Sequence, residues 1–355
     1  MVKYKLAKHA SCGLYKNQGI FGTGLKQYTL PKDEWQILVL LASMWKDYKT
    51  EKQIRKEFTF LYPEINSELL DINITRLREG YLIAEEPFLL EEERYQRNIS
   101  YYSYLSNYPR YVQKKIQDSK VILLGCGGIG NLISHMLVNS GVGEITLVDG
   151  DIVELSNLNR QFLFTEADIG RKKITALKEH LQERNYKAHI NSFDLNIEKQ
   201  ADLEKLQPAD LLVVSADTPN QLIFWINKFC VDKAQAYINV GYLSDIAVVG
   251  PFYIPKKHTA CFECVQLTPC QTQQEETCLE TAMAQVNSNF KNITHPATNG
   301  IAASYAFMDI AKFLGGLPNI LSINRRIGIH TNNPSIELME LIKNPICKIC
   351  SKTKP

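Results

Sequence analysis

The sequence predicts an α/β fold, with a twisted, mostly parallel sheet in its larger C-terminal part and a small helical module ahead of it. Three observations predict this. Residues 121–148 run as an apolar strand, a glycine turn, a helix-like segment and a second strand (VILLGCGGIG, NLISHMLVNSGV, EITLV), which is a βαβ unit. Further apolar runs follow, ADLLVVSA at 209–216 and, after a helix-like segment, AYINVG at 236–241, the alternation that builds a parallel sheet. Residues 33–78 instead hold three amphipathic helical stretches in succession.

Composition narrows the classes. A chain of 355 residues has room for about two domains, and 45% hydrophobic with 22% charged residues is ordinary for a globular protein. A net charge of +2 gives no pull toward nucleic acid or a membrane surface. No apolar run approaches the ~20 residues of a membrane span. The start, MVKYKLAKHASCGLYK, lacks the apolar core of a signal peptide, so the expected location is the cytoplasm. There, the nine cysteines fit a metal site better than disulfides.

The N-terminal domain is read as residues 1–90. Helical periodicity covers 33–45, 52–61 and 67–78, and Gly80 stops the last helix before the strand-like YLIAEE at 81–86. Helix, glycine and strand in that order give a winged-helix-like module. Winged helices often bind DNA, but no basic face is concentrated here. Residues 13–24 are read as a loop or hairpin. Residues 91–118, beginning EEERYQRN, are read as a helical linker, and the sheet domain as 119–355.

The chemistry concentrates after the first sheet strand. Gly125-Cys126-Gly127-Gly128-Ile129-Gly130 matches G-x-G-x-x-G, where glycines let the backbone approach phosphate at a helix N-terminus. Asp149 lies about 20 residues on, where an acid can bond ribose hydroxyls. These features alone do not separate NAD from ATP. Asn157, Arg160 and Lys173 follow directly, and two added cations fit a triphosphate better than a pyrophosphate.

Farther on, 174–185 reads as a helix and 189–197 as a strand. Asp217 stands at the carboxyl end of the 209–216 strand, where it can hold Mg²⁺ beside a triphosphate or cap the helix expected at 221–229. Residues 242–251 continue the 236–241 strand, with Tyr242 and Asp245 flanking a substrate. Cys261-x-x-Cys264 and Cys347-x-x-Cys350 complete a closed Cys₄ set, which reads as structural zinc, with a redox CxxC as the alternative. A buried helix at 299–314 and a late strand at 325–331 close the domain.

The run Asp149-x-Asp151-x(5)-Asn157-Leu-x-Arg160-Gln161, with Lys173 after D-I-G, resembles the signature of the ThiF/MoeB/ubiquitin-activating group of adenylating enzymes. Within that group the chain is most similar to the microcin C-type and pantocin A-type peptide-maturation branch. The microcin-type likeness covers nearly the whole chain, including ERYQRN, GCGGIGN, VVSAD, YINVGY, DIAVVGP and both CxxC pairs.

The resemblance implies a Rossmann-like adenylation domain. It implies ATP on Gly125, Gly127, Gly128 and Gly130, Asp149 at the ribose, and Asn157, Arg160 and Lys173 at the triphosphate, with Asp151 and Gln161 in the same site. Mg²⁺ on Asp217 is implied too. It further implies that Arg97 of RYQR reaches across a homodimer to the partner's ATP, and that a loop at 265–297, containing Cys270 and Cys278, crosses the active site. The N-terminal module would clamp a ribosomally made precursor peptide as an added strand. The chain departs from the wider pattern at Asn98, often glutamine, and at Thr218-Pro219-Asn220, where asparagine usually follows the aspartate directly.

The implied activity is ATP-dependent activation of a peptide carboxyl, leading to nucleotide conjugation or to glutamate condensation. The alternatives are adenylation of a sulfur-carrier or ubiquitin-like protein ending in diglycine, and an NAD-dependent oxidoreductase or nucleotide sensor.

Overall fold

A computed structural model describes residues 2–85, 93–265, 283, 285–286 and 293–352. The chain divides into two compact units, Met1–Lys115 with Gly315–Leu317, and Ile116–Leu314 with Pro318–Pro355.

The first unit begins with strand β1 (Lys3–Leu6) and a meander of β2 (Cys12–Tyr15), β3 (Gln18–Thr23) and β4 (Lys26–Pro31). Residues 13–24 are therefore hairpin. Then come α1 (Lys32–Ser43), β5 (Lys49–Thr50), α2 (Glu51–Leu61), α3 (Ser67–Glu79) and β6 (Ile83–Glu85). Helices α2 and α3 start where the sequence supplies caps. Thr50 and Gln53 form a capping box on α2, and the Asn66 side chain accepts from Leu69 N at 2.8 Å on α3. Inward faces bury Leu38, Leu41, Trp45, Phe58 and Leu77 to 1% exposure or less. Strands β5, β1 and β6 form one antiparallel sheet with β1 in the middle. The order helix, strand, helix, helix, strand is that of a winged helix, with its third strand supplied from ahead of the helices. Glu86, the last residue of the expected strand, lies outside the described residues. Helices α4 (Gln96–Tyr102) and α5 (Pro109–Asp118) follow.

The second unit is organised by an eight-stranded sheet. Its strands are β7 (Lys120–Leu124), β8 (Glu144–Val148), β9 (His189–Phe193), β10 (Leu211–Val214), β11 (Tyr237–Leu243), β12 (Ile246–Tyr253), β13 (Arg325–His330) and β14 (Ile336–Glu340), in the order β14-β13-β12-β11-β10-β7-β8-β9. The five strands from β9 to β11 are parallel and the last three antiparallel. Val121–Leu124 and all of β10 are buried, as expected of strands covered on both faces. The crossovers run through α6 (Gly128–Asn139), α7 (Lys173–Arg184) and α8 (Leu222–Asp232). From β7 the chain winds outward through β8 and β9, then returns to place β10 on the other side of β7. That reversal makes a switch point, where ligands bind at the carboxyl ends of the strands.

Of residues 242–251, only Tyr242 and Leu243 extend the preceding strand. The chain then turns back at Ser244 (φ 53°), and the residues from Ile246 on pair antiparallel with β11 as β12. Helix α9 (Pro296–Gly315) carries a fully buried Asp309, whose carboxylate accepts from Leu321 N (2.8 Å), Ser322 N (2.8 Å) and Ser322 Oγ (2.6 Å). Ser322 O in turn accepts from Phe252 N of β12, so Asp309 pins the segment ahead of β13 to the sheet. No described helix is long and apolar enough to cross a membrane. Replacing Asp309 with alanine strands these buried donors and should lower the unfolding free energy by about 2–4 kcal/mol, read by urea titration. An unchanged midpoint would remove the pin.

Candidate functional site

The glycine turn lies at the switch point. Gly125 leaves β7 at φ +94°, and a Cβ there would stand 2.7 Å from Ala216 N, beyond β10. A Cβ on Gly130 would meet Gly125 O at 1.9 Å. Only glycine fits at either position, so the turn presses against the strand ends. Gly127 differs: the atom nearest its missing Cβ is Gln161 Nε2, at 4.0 Å, and the turn faces open space there. The N-terminus of α6 opens at that point, a place where backbone amides favour an anion. Gly128 lies under Asn299, whose Nδ2 would be 2.2 Å from a Cβ there.

Asp149 follows β8, with Oδ2 accepting from Cys126 N (2.7 Å) and Oδ1 from Asp151 N (2.8 Å). Each oxygen keeps a lone pair for a ligand hydroxyl. Burial, with Asp149 close by, pushes the Cys126 thiol well above the ordinary range, so it is no nucleophile.

Asn157 is buried, and its Oδ1 accepts from Glu154 N at 3.1 Å, closing a 3₁₀ turn. Arg160 Nη1 donates to Ser156 O (2.8 Å) and Asn159 Oδ1 (2.9 Å), and among the described residues it has no carboxylate partner. Gln161 is buried, and its Oε1 has no hydrogen-bond partner among them. Lys173 opens α7 and is 7% exposed, with Nζ 2.9 Å from Oδ2 of Asp151, whose side chain is 64% exposed. A lysine at a helix N-terminus adds its charge to the positive end of the dipole, and an anion relieves both.

Asp217 is exposed past the end of β10, and the hydroxyl of Thr218 stands 3.3 Å from its Oδ1. It does not cap the next helix, because α8 begins at Leu222 with Gln221 at its N-cap. The carboxylate is left exposed at the strand end. Tyr242 lies on β11. Asp245 occupies the following turn, where its backbone carbonyl accepts from Thr331 N (2.9 Å) and its carboxylate accepts from Asn332 Nδ2 (3.2 Å). Both stand at the carboxyl edge of the sheet.

The sheet thus gathers the glycine turn, Asp149, Asp151, Arg160, Gln161 and Lys173, with Asp217 at the neighbouring strand end. Asn157 holds its own turn closed. Arg97 is exposed on α4, in the first unit. Cys270, Cys278 and most of the 265–297 loop lie outside the described residues. Sequence reasoning missed Asn299, which is 1% exposed and accepts from Thr294 Oγ1 at 2.9 Å. A buried asparagine in an apolar helix was its one signal.

Cys261, Cys264, Cys347 and Cys350 bring their sulfurs within 4.8 Å of one another. Neighbouring pairs stand at 3.8 Å (Cys261–Cys264), 3.7 Å (Cys261–Cys347) and 3.3 Å (Cys264–Cys350). Thiolates about 2.3 Å from a tetrahedral zinc would be about 3.8 Å apart, so the set fits that ion. Asn227, fully buried on α8, donates to Cys261 Sγ at 3.6 Å, and its Oδ1 accepts from Tyr237 Oη (2.8 Å) and Phe262 N (3.0 Å). Such outer contacts orient ligands.

The ThiF family model matches residues 95–349. A ubiquitin-like modifier-activating enzyme 5 from Drosophila erecta is 27% identical over 248 residues, 66% of this chain and 58% of its own length. The chain thus spans little more than half of that relative. A sulfur carrier protein adenylyltransferase from Thermus thermophilus is 27% identical over 242 residues, 67% of this chain and 84% of its own. The crystal structure of E. coli MccB with MccA-N7isoAsn has a TM-score of 0.90 and 35% identity, covering 99% of this chain and 100% of that one. The structure of E. coli MccB with ATP has a TM-score of 0.88, 35% identity, and coverage of 98% and 99%. PaaA, at 22% identity and TM-score 0.68 over 95% of this chain and 100% of that one, shares the fold.

The purified protein should carry one zinc per chain by elemental analysis. Cys264→Ser or a strong chelator should remove it and lower the thermal midpoint. A metal-free protein of unchanged stability would contradict a structural zinc.

Proposed function

The chain belongs to the ThiF family of adenylating enzymes, and on that premise we propose that it uses ATP to activate a carboxyl group on a short, ribosomally made precursor peptide. One observation carries this reading. The likeness to MccB extends over 99% of the chain, including the N-terminal unit, whereas the family match begins at residue 95 and the curated relatives cover two thirds. MccB has been solved with ATP and with MccA.

A carboxylate is an unreactive acyl group because its oxygen leaves poorly. When that oxygen attacks the α-phosphorus of ATP, the bridging P–O bond to the β-phosphate breaks, pyrophosphate departs and an acyl-adenylate remains. The protein supplies positioning and charge neutralisation. The amides at the N-terminus of α6 face the phosphates across Gly127. Asp149, with Asp151 beside it, receives the ribose hydroxyls. Arg160, free of a carboxylate among the described residues, and Lys173, exchanging Asp151 for phosphate, draw charge from the β- and γ-phosphates. Arg97 of a partner subunit adds a further guanidinium, which makes the working form a homodimer. Asp217 would hold Mg²⁺, which would supply positive charge beside the triphosphate. The N-terminal unit receives the peptide, and the Cys₄ zinc joins the chain's end to the sheet unit.

The names of the curated relatives favour a second reading, adenylation of a carrier protein that ends in diglycine.

Mass spectrometry with Mg-ATP and a short peptide encoded beside the gene separates the two. A nucleotide adduct on the peptide, or loss of water with or without CO₂, supports peptide activation. An inert peptide together with an adenylated diglycine protein would replace it. Lys173→Ala and Asp217→Ala should each lower turnover at least about 100-fold in a folded protein, and wild-type rates in either would remove the assignment.

A further inference from the structure

We propose that Asp168 and His180 are positioning residues that set the rotation of α7 and so place the Lys173 ammonium at the phosphate site. This rests on the reading of Lys173 as a phosphate ligand.

Lys173 and His180 lie seven residues apart, close to two turns, so both stand on one stripe of α7. Asp168 sits in the loop ahead of the helix and is 2% exposed. Its Oδ2 accepts from Thr165 N (2.9 Å) and Thr165 Oγ1 (3.0 Å), and stands 2.8 Å from His180 Nε2. Its Oδ1 accepts from Arg171 Nη1 at 2.9 Å. One buried carboxylate thereby ties the loop to the helix two turns in.

The backbone between them is held as well. Gly170 N donates to Val153 O, Val153 N to Arg171 O, and Lys173 N to Asp151 O. Burial alone would push the Asp168 carboxyl up, but the hydrogen bonds from Thr165 and His180 outweigh it and hold it below the ordinary carboxylate range. The anchor is thus charged at neutral pH.

Among the described residues, the Lys173 side chain has no comparable anchor of its own. Its ammonium meets the carboxylate of Asp151, which is mostly exposed. Where that ammonium points is set by the helix that carries it. With side chains about 5–6 Å from the axis, a 20° turn of α7 would carry it roughly 2 Å, enough to lose a phosphate contact.

Calorimetric titration of the full-length protein with ATP tests this. His180→Ala should weaken ATP binding about 10-fold while the thermal midpoint stays within a few degrees. His180→Gln, whose amide nitrogen reaches the place of Nε2, should restore most of the affinity. Lys173→Ala should weaken binding as well, and adding His180→Ala to it should cost nothing more, since the effect passes through Lys173. A full additional loss in the double variant, or unchanged affinity in His180→Ala, overturns the positioning role. Wild-type affinity in Lys173→Ala alone overturns it too, and is the one outcome that also removes Lys173 from the phosphate site.

Discussion

The site depends on a close approach between the glycine turn after β7 and the ends of the neighbouring strands. Asp149 holds one side, its carboxylate taking the amide of Cys126 across from β8. Gly125 and Gly130 hold the other, where no side chain would fit. Fixed from both sides, the turn presents the N-terminus of α6 toward open space beside Gly127. What binds there meets amides already oriented, so little of its binding energy is lost to ordering the protein.

The cations are mounted differently from the turn. Arg160 is steadied by a backbone carbonyl and an amide oxygen, and among the described residues no carboxylate pairs with it. Lys173 is buried at the start of a helix that a separate carboxylate anchors. Its present partner, Asp151, has a mostly exposed side chain and can turn to water if the ammonium takes another anion. Midway along α8, Asn227 links the helix to the cysteine cluster, so the segment that follows Asp217 is anchored through its own helix.

Features written in consecutive residues were legible. The apolar strand and glycine turn, the D-x-D run with its following cations, and both CxxC pairs each need only a local pattern, and the two pairs require just that one unit bring its ends together. The helices of the first unit were legible within a few residues from their periodicity and caps. Features made by distant pairing were not. Strand β1 becomes the centre of a sheet whose other strands follow 40 and more residues later. The turn at Ser244 converts an apparent extension of β11 into β12, and the exposed strand β14 has no buried face to give it a period. Asp217 had two local readings, and the start of α8 at Leu222 excluded the capping one. Asn299 and the Asp168–His180 contact join residues whose types alone carry no sign of their neighbours.

The measurement that bears most directly on this account is exchange of labelled pyrophosphate into ATP, with the products of turnover identified alongside. An adenylating site exchanges only with both Mg²⁺ and the carboxyl substrate present, with AMP and pyrophosphate as the products. ADP and orthophosphate would mean transfer from the γ-phosphate. No exchange with either a peptide or a diglycine carrier would mean that the site does not adenylate a carboxylate.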